Sequence, residues 1–262
     1  MTIFQIPSTD GFELTKSHSW SYGLCVSTSA DRLRDPRQRA ERAARILDVA
    51  ADLLLRHGYR RVTMDDVAAG AGIGKGTVYL HWKTREQLFS AVFAREVLSA
   101  MDELRQALRQ DPQACLLHHF ARVYFLAIVN RPLLRGFLLE DPEVLGKLAG
   151  SPGTARDDRH GVMARDYLAL LAEHGLLRDG MEVDEIGYAF QATFEGFLRA
   201  EGAAPAGGRE ERADLLAGTV RRAFESEATI SDATLRDVAA ATVTLIGDLL
   251  DADRTESGLP EA

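Results

Sequence analysis

The sequence predicts an all-α fold, with a small three-helix unit carrying a helix-turn-helix near the N-terminus and a larger helical bundle behind it. Three observations lead there. Apolar residues recur at helical spacing along almost the whole chain, whereas stretches that alternate apolar and polar residues are scarce. Hydrophobic residues make up 46% and charged residues 27%, enough for a true core, which excludes a disordered or collagenous chain. The breaks between helical stretches carry Gly, Pro or short polar residues, as in Gly150-Ser151-Pro152-Gly153 and the run from Gly202 to Gly208.

The elements follow in order. Residues 1–34 are rich in Ser and Thr without an apolar stripe and read as a disordered arm. In the first strong helix Ala43, Ile46, Leu47, Ala50, Leu53 and Leu54 make one stripe, and Gly58 stops it. Thr63 caps a short second helix whose first turn holds Asp65 and Asp66, complementing the helix dipole. A third short helix spans about 75–81. Thr84 and Gln87 match a capping box and open a long helix through Leu88, Phe89, Val92, Phe93 and Val97. Further helices are predicted near 113–130, 132–149 (broken at Asp141-Pro142), 156–175, 183–200, 210–225 and 232–251. The expected organisation is a head over 35–83, a bundle over 84–252 and a flexible tail over 253–262.

Composition narrows the setting. Two cysteines, Cys25 and Cys115, make neither a disulfide framework nor a zinc site. No apolar run approaches the ~18 residues needed to cross a bilayer, and the start of the chain lacks a signal-peptide pattern. A cytoplasmic protein is expected. The net charge of −8 hides an asymmetry: residues 31–90 hold 12 Lys/Arg against 8 Asp/Glu, whereas 91–262 hold 18 against 29. A basic segment joined to an acidic remainder suits one part meeting a polyanion.

Residues 63–82, TMDDVAAGAGIGKGTVYLHW, have the form of a helix-turn-helix: a capped helix, a glycine-bearing turn and a second short helix. Val67, Ile73 and Val78 suit packing between the two helices. Lys75, Thr77, Tyr79 and His81 offer hydrogen-bonding groups, and Gly74 and Gly76 leave backbone N–H groups uncovered for a phosphate or groove edge. The glycines fit neither nucleotide-binding fingerprint, since Ala69 stands where a P-loop needs its first glycine and Lys75 where a dinucleotide fold needs its third.

From about Arg42 to Phe93 these motifs together resemble the tetracycline-repressor (TetR) family of bacterial one-component regulators. The residues that carry the resemblance are His57-Gly58-Tyr59, Val62 to Ala68, Ala71 to Tyr79 and Lys83 to Leu88. Gly74 stands where the family often has Ser and Trp82 where it usually has Phe. The resemblance implies a homodimer on a pseudo-palindromic double-stranded operator, each reading helix in a major groove. It also implies a small-molecule pocket in the bundle whose occupancy moves the heads, and no cofactor. Lys75 and Thr77 are the candidates for base edges. Arg42, Thr63, Gly76, Tyr79, His81, Lys83 and Arg85 are the further candidates on the DNA side.

Alternatives stand beside this. Lys83 and Arg85 oppose the dipole of the helix they begin, so they either hold a phosphate or are solvated cations. Arg32, Arg34, Arg37, Arg39 and Arg42 either lay an arm along a groove or simply start the first helix in water. Tyr59 and Trp82 read as packing.

In the bundle, aromatics recur at helical spacing, and Phe120, Tyr124, Phe137, Tyr167 and Phe194 are the candidate walls of a pocket for an apolar or aromatic effector. Gln191, with Glu195 one turn on, either adds polar contacts or faces solvent. His118 and His119 project about 100° apart and make poor joint metal ligands. No arrangement announces catalysis or a metal site. Stripes through Ile186, Phe190 and Phe197, through Ala213, Leu216, Val220 and Phe224, and through Val238, Thr242, Ile246 and Leu249 are expected to associate between subunits. The expectation is a ligand-released repressor; a helical enzyme and a ligand-independent DNA-binding protein are the alternatives.

Overall fold

The computed structural model describes residues 35–139, 155–205 and 207–257. The chain divides into a short unit, Met1–Arg39, of which only 35–39 are described, and a large unit, Ala40–Ala262. The arm with Arg32, Arg34 and Cys25, the connection at 150–153 and residues 258–262 lie outside the described residues. Among those described, every regular element is helical apart from one isolated antiparallel bridge, Leu177 to Glu225.

Helices α1 (Pro36–His57), α2 (Met64–Gly70) and α3 (Lys75–His81) form the head. On α1 the stripe Ala43, Ile46, Leu47, Ala50 and Leu54 is buried as its spacing predicts, with Leu53 half-buried at the edge. Gly58, at φ 71°, ends the helix and donates its N–H to Leu54 O at 2.9 Å. Val67, Ala68 and Val78 close the core between α2 and α3, and Tyr59 and Val62 fill it from the connection after α1.

Helix α4 (Arg85–Gln110) leaves the head and becomes the bundle's spine. Its first half buries Leu88, Phe89, Val92 and Phe93 in the head core. Its second half buries Met101, Leu104 and Leu108 in a separate core. That second core is completed by a 3-10 turn (Pro112–Cys115), α5 (Leu117–Val129), α7 (Ala155–Glu173), α8 (Val183–Ala200), α9 (Arg209–Phe224) and α10 (Asp232–Ser257). Helix α9 packs along α5, while α10 packs along α4 and α7. Between α5 and α7 the short α6 (Pro132–Leu138) reaches back, burying Leu133 in the head core and Leu134 in the bundle.

Several long-range polar contacts hold this arrangement. Leu116, the residue before α5, has no side-chain oxygen to cap it. The buried Glu225 supplies one from beyond α9: its carboxylate accepts the His118 N–H at 2.7 Å and meets the His118 ring at 2.7 Å. Arg131 fixes the turn between α5 and α6 onto α4 through Glu103 at 2.8 Å and Ser99 at 3.0 Å. The helix expected to end near 251 continues to Ser257, into the stretch expected to be a tail. The reason is the buried Asp253, whose carboxylate takes Arg159 at 2.7 Å and His160 at 2.8 Å from α7.

The expected association stripes are corrected by this packing. Val220 and Ile246 have no exposed surface within a single chain, and Ile186, Leu216 and Val238 are likewise internal. They build the core of the single chain. Cys115 is also buried, its thiol pushed up to about 11 chiefly by that burial, which leaves it unreactive at neutral pH.

Burial and the neighbouring His118, whose ring lies 4.1 Å away, hold the His119 imidazole below its ordinary range. Protonation therefore favours the unfolded chain, and stability is lost as pH falls through the ordinary histidine value. Urea midpoints measured at about pH 7.5 and about pH 5.5 should show a drop that shrinks in H119Q; an undiminished drop in that variant would assign the acid sensitivity to other groups.

Candidate nucleic-acid interface

The two helices of the motif are set by local chemistry. Thr63 caps α2: its hydroxyl accepts the Asp66 N–H at 3.2 Å, and the Asp66 carboxylate accepts the Thr63 N–H at 2.9 Å. The Thr63 hydroxyl, which donates to Asp66 Oδ2 at 2.7 Å, and then the Thr63 N–H hold the Asp66 carboxyl below its usual range. At its other end α2 closes with Gly72 at φ 65°, the Ile73 N–H reaching Ala68 O at 3.0 Å and the Gly72 N–H reaching Ala69 O at 3.1 Å. Gly70 is required by packing, because a Cβ there would lie 2.6 Å from Val49 Cγ1 of α1. Gly74 and Gly76 are different. A Cβ at either would meet nothing within 4 Å, so no internal contact demands glycine at the start of α3.

Helix α3 buries only Val78. Lys75 and Gly76 are exposed, and Thr77, Tyr79 and His81 are half-buried. Lys75 Nζ lies 2.9 Å from Asp65 and 6.0 Å over the Tyr79 ring. Asp65 raises the Lys75 pKa, but the pair is fully solvated and a phosphate or base can displace it at little cost. Lys83 Nζ donates to Tyr79 O at 3.0 Å, and the Lys83 N–H donates to Gln87 Oε1 at 2.8 Å. Gln87 thus completes only half of the expected capping box, taking the Thr84 hydroxyl with its N–H and the Lys83 N–H with its side chain. The structure therefore links Lys75 and Tyr79 on α3 with Lys83 just beyond it, and Gly76 and Thr77 lie between the first two. Thr63 carries its own cap at the start of α2, and the His81 ring stacks on Trp82 at 5.4 Å.

Two predicted residues stand apart. Arg42 is half-buried on α1, and its side chain makes no hydrogen bond or ion pair among the described residues. Arg85 turns inward: its Nη1 lies 3.3 Å from both Tyr59 O and Val62 O. Leu80 escaped sequence reasoning. It is 57% exposed on α3, and its only signal was an apolar residue out of phase with Val78.

In the bundle Phe120, Tyr124, Tyr167 and Phe194 come together. Phe120 stacks on Tyr167 at 4.5 Å, and Tyr124 stacks on Phe194 at 5.5 Å. Phe190 extends the cluster at 5.9 Å from Phe194. Tyr167 donates its hydroxyl to Cys115 O at 2.8 Å. Tyr124 is surrounded deeply enough that burial alone pushes its phenol up to about 12, yet the residue keeps accessible surface. Its hydroxyl has no hydrogen-bond partner among the described residues. Phe137 and Gln191 are not in this group. Phe137 stacks on Phe93 of α4 at 5.2 Å, against the head core, because α6 crosses from one core to the other. Gln191 is exposed and bonds Glu195 at 3.0 Å. Among the described residues no three His, Cys, Asp or Glu side chains gather as a metal site.

Residues 46–92 match the family described as bacterial regulatory proteins, tetR family. Over this segment the chain is similar to the tetR-family regulators. An uncharacterized HTH-type transcriptional regulator of Mycobacterium tuberculosis is 43% identical over 68 residues, 26% of this chain and 34% of the relative. The match thus spans about a third of that relative's length, confined to one region. Two solved structures show the fold. The SmeT–triclosan complex aligns with 73% of this chain and 95% of its own at TM-score 0.52 and 22% identity. The TetR family protein CprB from S. coelicolor A3(2) aligns with 80% and 98% at TM-score 0.50 and 22% identity.

If Lys83 holds a phosphate, K83A should weaken binding to all duplexes alike and lower the salt slope by about one for each phosphate that a subunit no longer neutralises. T77A should instead relax base preference, by roughly 1–3 kcal/mol where it removes a good hydrogen bond to a base. Titrations at several salt concentrations separate the two. Wild-type affinity and slope in both variants would remove α3 as the reader.

Proposed function

We propose that this protein is a homodimeric transcriptional repressor. Each α3 enters a major groove of a pseudo-palindromic operator, and a small apolar or aromatic molecule in the bundle releases it. The observation that carries this reading is α3 itself. It buries one side chain, and its opening glycines answer to no internal contact. A helix that buries so little of its sequence presents residues such as the exposed Lys75 and Gly76 to a groove edge. The protein is on this reading a binding protein, not an enzyme, and works in the cytoplasm beside its DNA. Among the described residues no helix is long and apolar enough to cross a membrane.

The effector site is the aromatic group on α5, α7 and α8. Tyr124 is deeply surrounded yet keeps some accessible surface, and a phenol without a partner among the described residues suits one polar group on an otherwise apolar ligand. Occupancy reaches the heads only if the ligand prefers one head spacing over the other. Helix α6 supplies a route, since Leu133 and Phe137 lie in the head core while Leu134 lies in the bundle.

For the dimer, the stripes buried within the protomer are already occupied, and the outward faces of α8 and α9 take their place. Tyr188 is 79% exposed and Leu215 is 62% exposed. Ala192, Gly196 and Ala200 continue the Tyr188 face at i, i+4 spacing with side chains small enough for close helix approach.

Selection from a random duplex pool should return a pseudo-palindrome, with the footprint covering both half-sites; enrichment of no sequence, or sequence-indifferent coating, would overturn the repressor reading. The variant Y188D/L215E should remain helical by circular dichroism and sediment as a monomer with weakened operator affinity. A stable dimer would place association elsewhere.

A further inference from the structure

We propose that Arg85 is a positioning residue, which holds the segment before α2 against the start of α4 and so sets where Thr63 and α3 meet DNA, rather than touching phosphate itself. This rests on the DNA-binding reading above. The geometry points to it from four directions. Arg85 is the first residue of α4, where a cation opposes the helix dipole, so its place there needs a compensating partner. Its guanidinium finds several partners inside the head. Nη1 donates to Tyr59 O and to Val62 O, both at 3.3 Å, carbonyls of the connection between α1 and α2. The plane rests 4.4 Å from the centroid of the Tyr59 ring and 5.8 Å from that of Phe89. Glu86, whose Oε1 lies 3.8 Å from Nε, also accepts the Tyr59 hydroxyl at 3.4 Å.

These interactions all pull on one short piece of chain. Tyr59 is buried and meets Phe89 of α4 edge-on at 5.3 Å. Val62 immediately precedes Thr63, the cap of α2. Arg85 therefore clamps the approach to that cap onto α4 from 23 and 26 residues away. Only about a quarter of its side chain is exposed, with the positive head already committed to carbonyls, a ring and a carboxylate. A phosphate would have to displace all of them. Lys83, two residues earlier, is the contrast: exposed, with its ammonium on a single carbonyl.

The clamp is tested with R85A, with R85M (which keeps the stem over the ring), and with Y59L and K83A for comparison. The DNA is the duplex that the wild-type protein selects from a random pool. Expected for both Arg85 variants is a loss of affinity of about tenfold at unchanged salt slope, at a temperature where circular dichroism shows the head folded. K83A should flatten the slope. The double variant Y59L/R85A should bind no more weakly than the worse single variant, since both remove one clamp. A reduced slope in R85A, losses that multiply in the double variant, or wild-type affinity in folded R85A would each overturn the proposal. Amide exchange gives a readout without DNA: residues 59–67 should exchange faster in R85A and R85M than in wild type, whereas 75–81 should not. Unchanged protection of 59–67 would overturn the clamp whether or not a duplex is found. Failure of the wild type to select any duplex would count against the DNA-binding reading alone.

Discussion

The arrangement depends on one constraint: a single helix belongs to two cores. Helix α4 buries Leu88, Phe89 and Phe93 among the residues that pack α1–α3, and Met101, Leu104 and Leu108 among those that pack the bundle. A continuous helix transmits displacement because bending it would break backbone hydrogen bonds and leave polar groups unpaired. Leu104 and Leu88 thus stand on one continuous helix, each in a different core. Helix α6 lies beside this spine and also belongs to both cores, so the two regions are joined by packed apolar side chains.

The interior of the bundle is unusual in where it places its polarity. Glu225, Asp253 and Glu201 are almost fully buried carboxylates, each met by partners from another helix or turn: His118, Arg159 with His160, and Arg212. A buried carboxylate is tolerated only when paired, and removing one partner costs far more than the pair contributes. These pairings fix which helices neighbour which, a matter that apolar stripes alone leave open. The aromatic group around Tyr124 lies on the same helix, α5, whose first turn Glu225 caps.

Much of the head was legible because its determinants are local. Thr63 and Asp66, three residues apart, specify a cap whatever surrounds them, and a glycine after a short helix specifies its end. The helices of the bundle were legible from spacing for the same reason. What spacing does not contain is the identity of the partner surface. Phe137 has the pattern of a core aromatic, but which core it enters follows from the path of α6. Val220 and Ile246 carry stripes that read the same whether the partner is another helix of the same chain or of a second copy. Asp253 looks like the polar end of a helix until His160, 93 residues away, turns out to face it. Arg85 is the clearest case on the DNA side, since a cation at a helix start gave no hint of two carbonyls before α2.

The glycines of the turn divide sharply in what they permit. At Gly70 any side chain would collide with Val49, and at Gly72 the backbone sits where only glycine is comfortable. Gly74 and Gly76 stand in open space with ordinary backbone geometry, on the edge of the helix that carries Lys75 and Thr77. The fold therefore leaves two nearby sites at which a Cβ meets no neighbour. For protein engineering this makes the start of α3 a place to vary side chains, since the packing of the head asks nothing of either position.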